Sequence, residues 1–434
     1  MAENLIDAIL AGRVEDPDGG PNLSVPTKSI VIEQSLDGRE ADLIAELGFG
    51  SRLAVVSDLN TRDALGKRVE GALSSMARVE RVVLPGTPHA DIETVALLEK
   101  ETAQADALIA VGSGTINDLC KLTSARAEKP YAVFATAPSM NGYTSVNAAI
   151  TVDGLKKTLP AQGAAGVFMD LRVLADAPKR MILSGFGDSI CRSTAQTDWL
   201  LANLLWGTPY REAPYRLLAE DERALLSEPE ALTAGGLDAM ECLARTLVLS
   251  GLGMTICGGS TPASQGEHMI SHFMDMLPPS GWPGAFHGEQ IAVTTLTVAR
   301  LQERVLADGT LRLSPTALAR EDVHAVFGDG LGAMCWEEFE HKCLTAKEAG
   351  HMNARLENDW DGFREQLSAV SKPSAILEDA LRRAGAPVTP EDLGLSRKFY
   401  EQAVLYARTI RNRYCFLDLA SDAGVLTAEA VKDL

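Results

Sequence analysis

The first third of the chain alternates short apolar runs with segments of helical spacing. Between the runs, apolar residues recur every three or four positions. Strict alternation of this kind is typical of βαβ units and predicts a mainly parallel sheet covered by helices. The runs are residues 28–34, 52–58, 79–85, 106–112 and 131–137, and the helical segments are Arg39–Leu47, Thr61–Ala77, Ile92–Gln104 and Thr115–Ala125.

From about Pro178 helical spacing continues to the C-terminus, after a hairpin signal at Asp153-Gly154. We therefore expect an α/β domain with a mainly parallel sheet at residues 1–175 and an all-helical domain at residues 176–434. The charged segment Glu337–Lys347 is interpreted as a solvated face.

The composition argues against some classes of function. The 434 residues are 46% hydrophobic, which is enough for two domains with substantial cores. With 59 acidic against 40 basic residues, the net charge is −19, so nucleic acid and anionic membranes would meet net repulsion.

Three features predict a reduced, cytoplasmic protein without a membrane span. The seven cysteines are scattered without C-x-x-C spacing. Acidic residues stand near the N-terminus where a secretory signal needs basic ones. The uncharged stretch Thr246–Gly266 contains Gly251, Gly253 and Pro262, so we interpret it as a buried helix followed by a Gly-rich turn.

Two strand ends carry candidate cofactor residues. The turn from Gly112 to Gly114 opens a helix, and the free N–H groups of a helix N-terminus suit a diphosphate; an ordinary strand-to-helix turn is the alternative. Asp58 ends another run and could accept hydrogen bonds from ribose hydroxyls or simply cap the next helix. The polar loop at 136–145 either lines a ligand cleft or is merely solvated.

Histidine spacing indicates a metal site. His268 and His272 stand four residues apart, on one face of a predicted helix, and His287 follows a Pro/Gly-rich loop. The alternative is a pair of helix histidines bonded to nearby acids. Asp188 lies in an apolar segment, where a buried carboxylate needs a cation or a partner, so we choose it as third ligand; helix capping is the competing interpretation.

Five motifs in this order resemble the sn-glycerol-1-phosphate dehydrogenase family. That family is part of the iron-containing alcohol dehydrogenase and dehydroquinate synthase-like superfamily. The resemblance extends over roughly residues 25–425 and implies a dehydroquinate synthase-like fold. It implies that residues 1–175 are a Rossmann-like nucleotide-binding domain and that residues 176–434 are a helical domain that binds metal and substrate, with both ligands between the two domains. The motifs are GSGTINDLCK (112–121), APSMNGYTS (137–145), GFGD (185–188), EHMISH (267–272) and FHGEQ (286–290).

The resemblance also implies roles for individual residues. It implies Asp188, His268 and His287 as ligands of one divalent metal, zinc first, with nickel or iron as alternatives. It implies Asp188 and His272 as catalytic residues that, with Asn141, also meet the substrate. The residues implied for NAD or NADP are Asp58, Gly112, Gly114, Thr115, Ile116, Asn117, Asp118, Thr136, Ala137, Pro138, Ser139 and Ser145.

Three positions depart from the patterns of the family and superfamily. Asn141 stands where the family commonly has Asp, which removes a charge beside the expected substrate. Gln265 replaces a frequent Gly before the Glu267-His268 pair. Arg192 stands where superfamily members with four metal ligands have a histidine, in keeping with a three-ligand site.

The activity implied by the resemblance is interconversion of dihydroxyacetone phosphate and sn-glycerol 1-phosphate with NAD(P). Alternatives are the same hydride chemistry on another small polyol, aldehyde or phosphonate, a cyclising lyase like dehydroquinate synthase, and a non-enzymatic protein with a decayed site. A homo-oligomer is expected from the superfamily. Candidate groups for a substrate phosphate are Lys156, Lys157, Arg192, Arg411 and Arg413.

Overall fold

The computed structural model describes residues 4–434, with the side chain of Leu155 excepted. The chain divides into two compact units. The first comprises the residues up to Ser189 together with Arg211–Ser260, and the second comprises Ile190–Tyr210 together with Thr261–Leu434.

The first unit contains a parallel sheet of six strands in the order β1-β8-β5-β4-β2-β3. The predicted α/β class with a parallel sheet is confirmed. A separate antiparallel hairpin is formed by β6 and β7. The strands are β1 (Ser29–Glu33), β2 (Arg52–Asp58), β3 (Arg78–Leu84), β4 (Ala107–Gly112), β5 (Tyr131–Ala135), β6 (Asn147–Val152), β7 (Leu155–Pro160) and β8 (Gly166–Asp170).

Every residue of the central strands β4, β5 and β8 is buried, because helices cover both faces of a parallel sheet. The hairpin turns at Asp153 and Gly154, whose φ angles of 52° and 78° suit the primed turns of two-residue hairpins. Strand β4 lies between β2 and β5. The carboxyl ends of these three strands therefore meet at one edge, where ligands of such sheets bind.

The helices follow the predicted pattern, with one exception. The segment predicted as one helix over Thr61–Ala77 is broken by a π-helix at Arg62–Gly66. The α-helices are α1 (Leu5–Leu10), α2 (Glu40–Glu46), α3 (Leu59–Thr61), α4 (Lys67–Leu73), α5 (Ile92–Glu101), α6 (Gly114–Arg126), α7 (Leu171–Ala175), α8 (Lys179–Ile190), α9 (Arg192–Trp206), α10 (Ala213–Arg216), α11 (Ala219–Ser227), α12 (Leu237–Ile256), α13 (Gly266–Met276), α14 (His287–Ala307), α15 (Arg320–Glu340), α16 (Ala346–Val370), α17 (Ser374–Ala384), α18 (Arg397–Tyr406) and α19 (Phe416–Asp422).

Helix α12 is the one helix in the described chain that is long and apolar enough to cross a membrane. Its residues Leu243, Leu247 and Leu252 are fully buried in the first unit. A buried core helix passes the same test of length and composition, so this observation is weak support for a membrane span. It fits the predicted buried helix better.

The second unit is helical, and its core fixes the helices that carry the histidines. Phe273 of α13 packs against Phe327 and Phe399, with ring centroids 5.3 and 6.1 Å apart. A loop joins α13 to α14, and the Trp282 indole in it donates to the Leu393 carbonyl (2.7 Å). These contacts hold the C-terminal part of α13 and the loop that leads to α14.

Candidate active site

The Gly-rich turn in the first unit joins β4 directly to α6. A side chain at Gly112 could not fit, because an added Cβ would lie 2.5 Å from the Cβ of Ile116. Ser113 is the N-cap residue of α6, but its side chain does not cap the helix. Its Oγ instead lies 2.6 Å from the Oγ of Ser139. No side chain therefore competes with an anion for the first-turn N–H groups.

The structure gives Asp58 a capping role. Its Oδ1 accepts a hydrogen bond from the Thr61 N–H (2.8 Å), and the Thr61 hydroxyl accepts one from the Asp58 N–H (3.0 Å). Asp58 and Gly112 end neighbouring strands. The side chains of Ile116 and Asn117 are buried.

The polar loop at 136–145 is buried rather than solvated. The Ser184 hydroxyl on α8 donates to the Ser139 carbonyl (3.0 Å), and the Thr144 hydroxyl donates to the Val248 carbonyl on α12 (2.7 Å). Of the predicted cofactor residues in this loop, Thr136, Ala137, Pro138, Ser139 and Ser145 are all buried. The loop is thus held by two helices of the same unit.

Two glycines let those helices approach the loop. A Cβ on Gly185 of α8 would overlap the Pro138 carbonyl oxygen. A Cβ on Gly251 of α12 would collide with the Thr144 hydroxyl and the Asn141 carbonyl oxygen. Both contacts are to groups that cannot move without shifting the loop, so alanine at either position would displace it.

Lys121 of α6 holds the loop at 136–145 in place by hydrogen bonds. Its side chain is fully buried, and its ammonium donates to the Gly142 carbonyl (2.6 Å), the Ser145 hydroxyl (3.1 Å) and the Asn147 carbonyl (3.0 Å). The Asp118 carboxylate lies 3.5 Å away. Burial lowers the pKa of Lys121 and raises the pKa of Asp118. The Ser145 hydroxyl is therefore part of the support for this loop.

Asp188 and Asn141 lie together in the first unit. The Asn141 N–H donates to Asp188 Oδ2 (2.8 Å). Asp188 is 2% exposed and lies inside α8, whereas the N-cap position of α9 is Cys191, so Asp188 caps no helix start. The Asn141 Nδ2 is buried and has no acceptor among residues 4–434. A buried donor without an acceptor is costly, so the Asn141 amide would gain from an added hydrogen-bond acceptor.

The second unit brings three histidines together. His268 and His272 are one turn apart on α13, and His287 is the first residue of α14. The ring centroids are 5.1 Å apart for His268 and His287, 6.4 Å for His268 and His272, and 6.3 Å for His272 and His287. The three imidazoles therefore form one cluster at the start of α14 and along one face of α13.

Glu267 orients His268. Its Oε1 lies 2.9 Å from the Nδ1 of His268 and accepts from the Gln265 N–H (2.8 Å). The carboxylate is fully buried, and burial raises its pKa. A carboxylate on Nδ1 leaves Nε2 as the electron-pair donor of the imidazole. Potential ligand atoms of Cys191, Glu267 and His268 all lie within 4.8 Å of one another.

Asp198 of α9 anchors the start of α13. It accepts hydrogen bonds from the N–H groups of Gly266 (3.0 Å) and Phe416 (3.0 Å) and from the Gln302 amide (3.2 Å). Burial, together with the nearby charge of Glu267, raises the pKa of Asp198 to about 7. Three donors on one carboxylate fix the helix that presents His268 and His272.

Arg411 approaches His272 from the C-terminal part of the chain. One guanidinium nitrogen donates to the Ser264 hydroxyl (2.8 Å), and the other lies 3.3 Å from the Nε2 of His272. An Arg side chain has only donors, so Nε2 must be the acceptor. Burial and the charge of Arg413 lower the pKa of Arg411 to about 9, which still leaves it charged at neutral pH.

Sequence reasoning missed Lys121 and Asp198. Lys121 lies four residues after Asn117, and both are fully buried on one face of α6. A lysine on an otherwise buried helical face was the available signal.

Gln265, noted above as a departure from the family pattern, is 2% exposed and has a φ of −131°, so the start of α13 needs no glycine there.

Comparison with known proteins gives related sequences over most of the chain. The model of the family "Iron-containing alcohol dehydrogenase" matches residues 31–178. A glycerol-1-phosphate dehydrogenase (NAD(P)+) of Halalkalibacterium halodurans is 32% identical, over 84% of this chain and 85% of that protein. The glycerol-1-phosphate dehydrogenase (NAD(P)+) of Bacillus licheniformis is 28% identical, over 92% of this chain and 90% of that protein.

Solved structures agree on the fold. The glycerol dehydrogenase of Schizosaccharomyces pombe superposes with a TM-score of 0.64 at 18% identity, covering 94% of this chain and 88% of that one. The maleylacetate reductase of Agrobacterium tumefaciens gives a TM-score of 0.64 at 16% identity, covering 95% of both. At such identities the likeness concerns the fold alone. Because a 32% identical relative is matched over 85% of its length, the chain belongs to the glycerol-1-phosphate dehydrogenase family.

Proposed function

We propose that this protein is a metal-dependent, NAD(P)-linked dehydrogenase that interconverts dihydroxyacetone phosphate and sn-glycerol 1-phosphate. The curated relatives carry the name glycerol-1-phosphate dehydrogenase (NAD(P)+). The proposal rests on one observation: in a chain of this family, the imidazole rings of His268, His272 and His287 lie close together.

We assign the metal to Asp188, His268 and His287. A carboxylate and two imidazoles suit zinc, and nickel or iron also accept them. The Glu267 contact supports the assignment, since it leaves the Nε2 of His268 for a cation. Asp188 is 2% exposed, and a buried carboxylate needs a cation or another partner. When bound, the metal would polarise the substrate carbonyl and the nicotinamide would supply hydride.

We assign the cofactor to the α/β part of the chain. The N-terminus of α6 is suited to the diphosphate, because no side chain caps its first turn. The loop from Thr136 to Ser139 begins one strand away, where β5 ends. Asp58 uses Oδ1 as a cap, and we assign its other oxygen to the adenine ribose, which would favour NAD over NADP.

His272 is our choice for the proton donor. Since Arg411 donates to Nε2, the neutral ring carries its proton on Nδ1. We propose that this proton passes to the substrate oxygen as hydride arrives, directly or through one water, and that Nε2 takes up a replacement proton from solvent, so the ring ends neutral. Asn141, whose amide donor is buried and unsatisfied, would donate a hydrogen bond to another substrate oxygen.

The test is turnover by the purified protein. We expect dihydroxyacetone phosphate to oxidise NADH or NADPH, with sn-glycerol 1-phosphate rather than its enantiomer as product. A chelator should abolish turnover, and zinc, nickel or iron should restore it to different extents. Absence of turnover in the metal-loaded protein would contradict the proposal.

Asn141 favours one alternative, hydride transfer to another small polyol, aldehyde or phosphonate. An amide donates where a carboxylate only accepts, so a substrate with a different oxygen could be preferred. Higher turnover on a member of such a panel than on dihydroxyacetone phosphate would establish this alternative. A cyclising lyase like dehydroquinate synthase would instead leave the amount of reduced nicotinamide unchanged.

Two further expectations accompany the proposal. All seven cysteines are free, which supports the proposed cytoplasmic location. A homo-oligomer is proposed from the superfamily, and its mass can be measured by light scattering.

A further inference from the structure

Arg411 is a partly buried cation without an ion pair. Its two hydrogen-bond partners, the Ser264 hydroxyl and the His272 imidazole, carry no negative charge. Within the part of the chain that the structure describes, no Asp or Glu forms an ion pair with its guanidinium. A guanidinium has five N–H donors, and two contacts leave most of them unused.

Two buried cations of the second unit have carboxylate partners. Arg408, three residues earlier, lies 3.0 Å from the Asp422 carboxylate, and Lys342 lies 2.9 Å from Asp418. A cation withdrawn from water without a counter-charge is unfavourable. Burial and the charge of Arg413 lower the pKa of Arg411, and the charges of Glu267 and Glu338 offset this only in part. Arg411 is therefore placed to gain from a bound anion.

We propose that Arg411 and Ser264 form the site that recognises the phosphate monoester group of the substrate. The planar fork of a guanidinium matches two phosphate oxygens. Ser264 accepts from Arg411, and the proton of its hydroxyl has no acceptor among residues 4–434, so it can donate to a third oxygen. Arg411 also lies against His272, which we assign to the substrate. The inference rests on the proposed function for the identity of the ligand.

A phosphate monoester could come from the substrate or from the 2′-phosphate of NADP. The contact with His272 favours the substrate. The two sources predict different losses, since a cofactor site would change the ratio of NADPH to NADH activity and a substrate site would not.

The experiment compares Arg411→Met and Arg411→Lys with wild type, using dihydroxyacetone phosphate and unphosphorylated dihydroxyacetone. Arg397→Met is the matched control, because Arg397 is an exposed arginine of the same unit that pairs with Glu391. For Arg411→Met we expect kcat/KM on the phosphorylated substrate to fall roughly 100-fold, since charge-assisted hydrogen bonds are lost. Activity on dihydroxyacetone should also fall, because His272 loses its contact with Arg411, but by a clearly smaller factor, so the preference for the phosphorylated substrate should drop; Arg411→Lys should be intermediate.

Two kinetic outcomes would overturn the inference. Equal losses on both substrates would mean that Arg411 only supports His272. A changed NADPH to NADH ratio, with the preference for the phosphorylated substrate intact, would assign the phosphate to the cofactor.

A second measurement separates this inference from the proposed function. Inorganic phosphate is added to the holoenzyme at saturating NAD+, and the thermal unfolding midpoint is recorded. We expect phosphate to raise the midpoint of wild type and Arg397→Met but not of Arg411→Met. That result would support the anion site even if dihydroxyacetone phosphate were no substrate. An equal rise in all three proteins would refute it even if the proposed reaction were observed.

Discussion

Lys121 in the first unit and Arg411 in the second are both cations withdrawn from water, but they differ in what surrounds them. The Lys121 ammonium donates to three oxygens and has the Asp118 carboxylate 3.5 Å away. The Arg411 guanidinium touches one hydroxyl and one imidazole and has no carboxylate partner in the described chain.

From this difference we infer that Lys121 supports a loop, whereas Arg411 belongs to a ligand site. The groups around Lys121 satisfy one another, so the loop at 136–145 is fixed before any ligand arrives. Burial shifts pKa values in both units, but in the second unit the Arg411 guanidinium, whose pKa is lowered to about 9, has no carboxylate within ion-pair distance among residues 4–434. Ionisable groups with shifted pKa values are typical of ligand-binding and catalytic sites.

The largest expected effect is that of His268→Ala. If the second unit is completed by a cation, this variant should lose stoichiometric metal and about a thousandfold or more of its turnover, because Lewis-acid stabilisation is lost. Metal content is measured by elemental analysis and turnover by oxidation of reduced nicotinamide. His351→Ala, at an exposed histidine, is the control. Full metal retention by His268→Ala would show that the histidines serve another purpose.

The second prediction concerns stability in the first unit. Lys121→Met should lower the free energy of unfolding by about 3–5 kcal/mol, since it leaves the Asp118 carboxylate buried without its cation. Adding Asp118→Asn should restore part of the loss, because the uncompensated charge is then gone. Urea unfolding measures both. A loss below about 1 kcal/mol would mean that Lys121 is no more than a surface-like ion pair.

Most of the first unit follows from local rules. Runs of β-branched residues became β1 to β5, and Asp153-Gly154 became the hairpin turn, because backbone conformation there depends on neighbours in sequence. The π-helix at Arg62–Gly66 has no such local signature. The segment Glu337–Lys347, interpreted as solvated, in fact buries Lys342 against Asp418 (2.9 Å), a partner more than seventy residues away.

The candidate site was predictable where spacing alone determines geometry. Residues four apart on a helix share a face, which is why His268 and His272 could be paired from sequence. The partners of Lys121 include backbone carbonyls of Gly142 and Asn147, and a carbonyl carries no side-chain signal. The role of Asp198 depends on N–H groups of Gly266 and Phe416, which are likewise invisible in a sequence.

The third prediction is a pH dependence of stability that arises from Asp198. Its pKa is raised from 3.8 to about 7 in the folded protein, so between these pH values the folded state holds a proton that the unfolded state has lost. The contribution of this group to the free energy of unfolding should therefore fall as pH rises from about 4 to about 7, by at most about 1.4 kcal/mol per unit, and stay flat above. Asp198→Asn should remove this part of the slope in urea titrations at several pH values. An unchanged slope would mean that Asp198 is ionised throughout.

The smallest expected effect is the most direct test of the difference between Lys121 and Arg411. Arg411→Met should change the free energy of unfolding by no more than about 1 kcal/mol, in contrast to Lys121→Met, because removing an unpaired cation also removes its desolvation cost. The lost hydrogen bonds to Ser264 and His272 oppose that gain. Urea unfolding without phosphate makes the measurement. A loss as large as that of Lys121→Met would show that Arg411, like Lys121, mainly stabilises the fold. The proposed difference between the two cations would then be wrong.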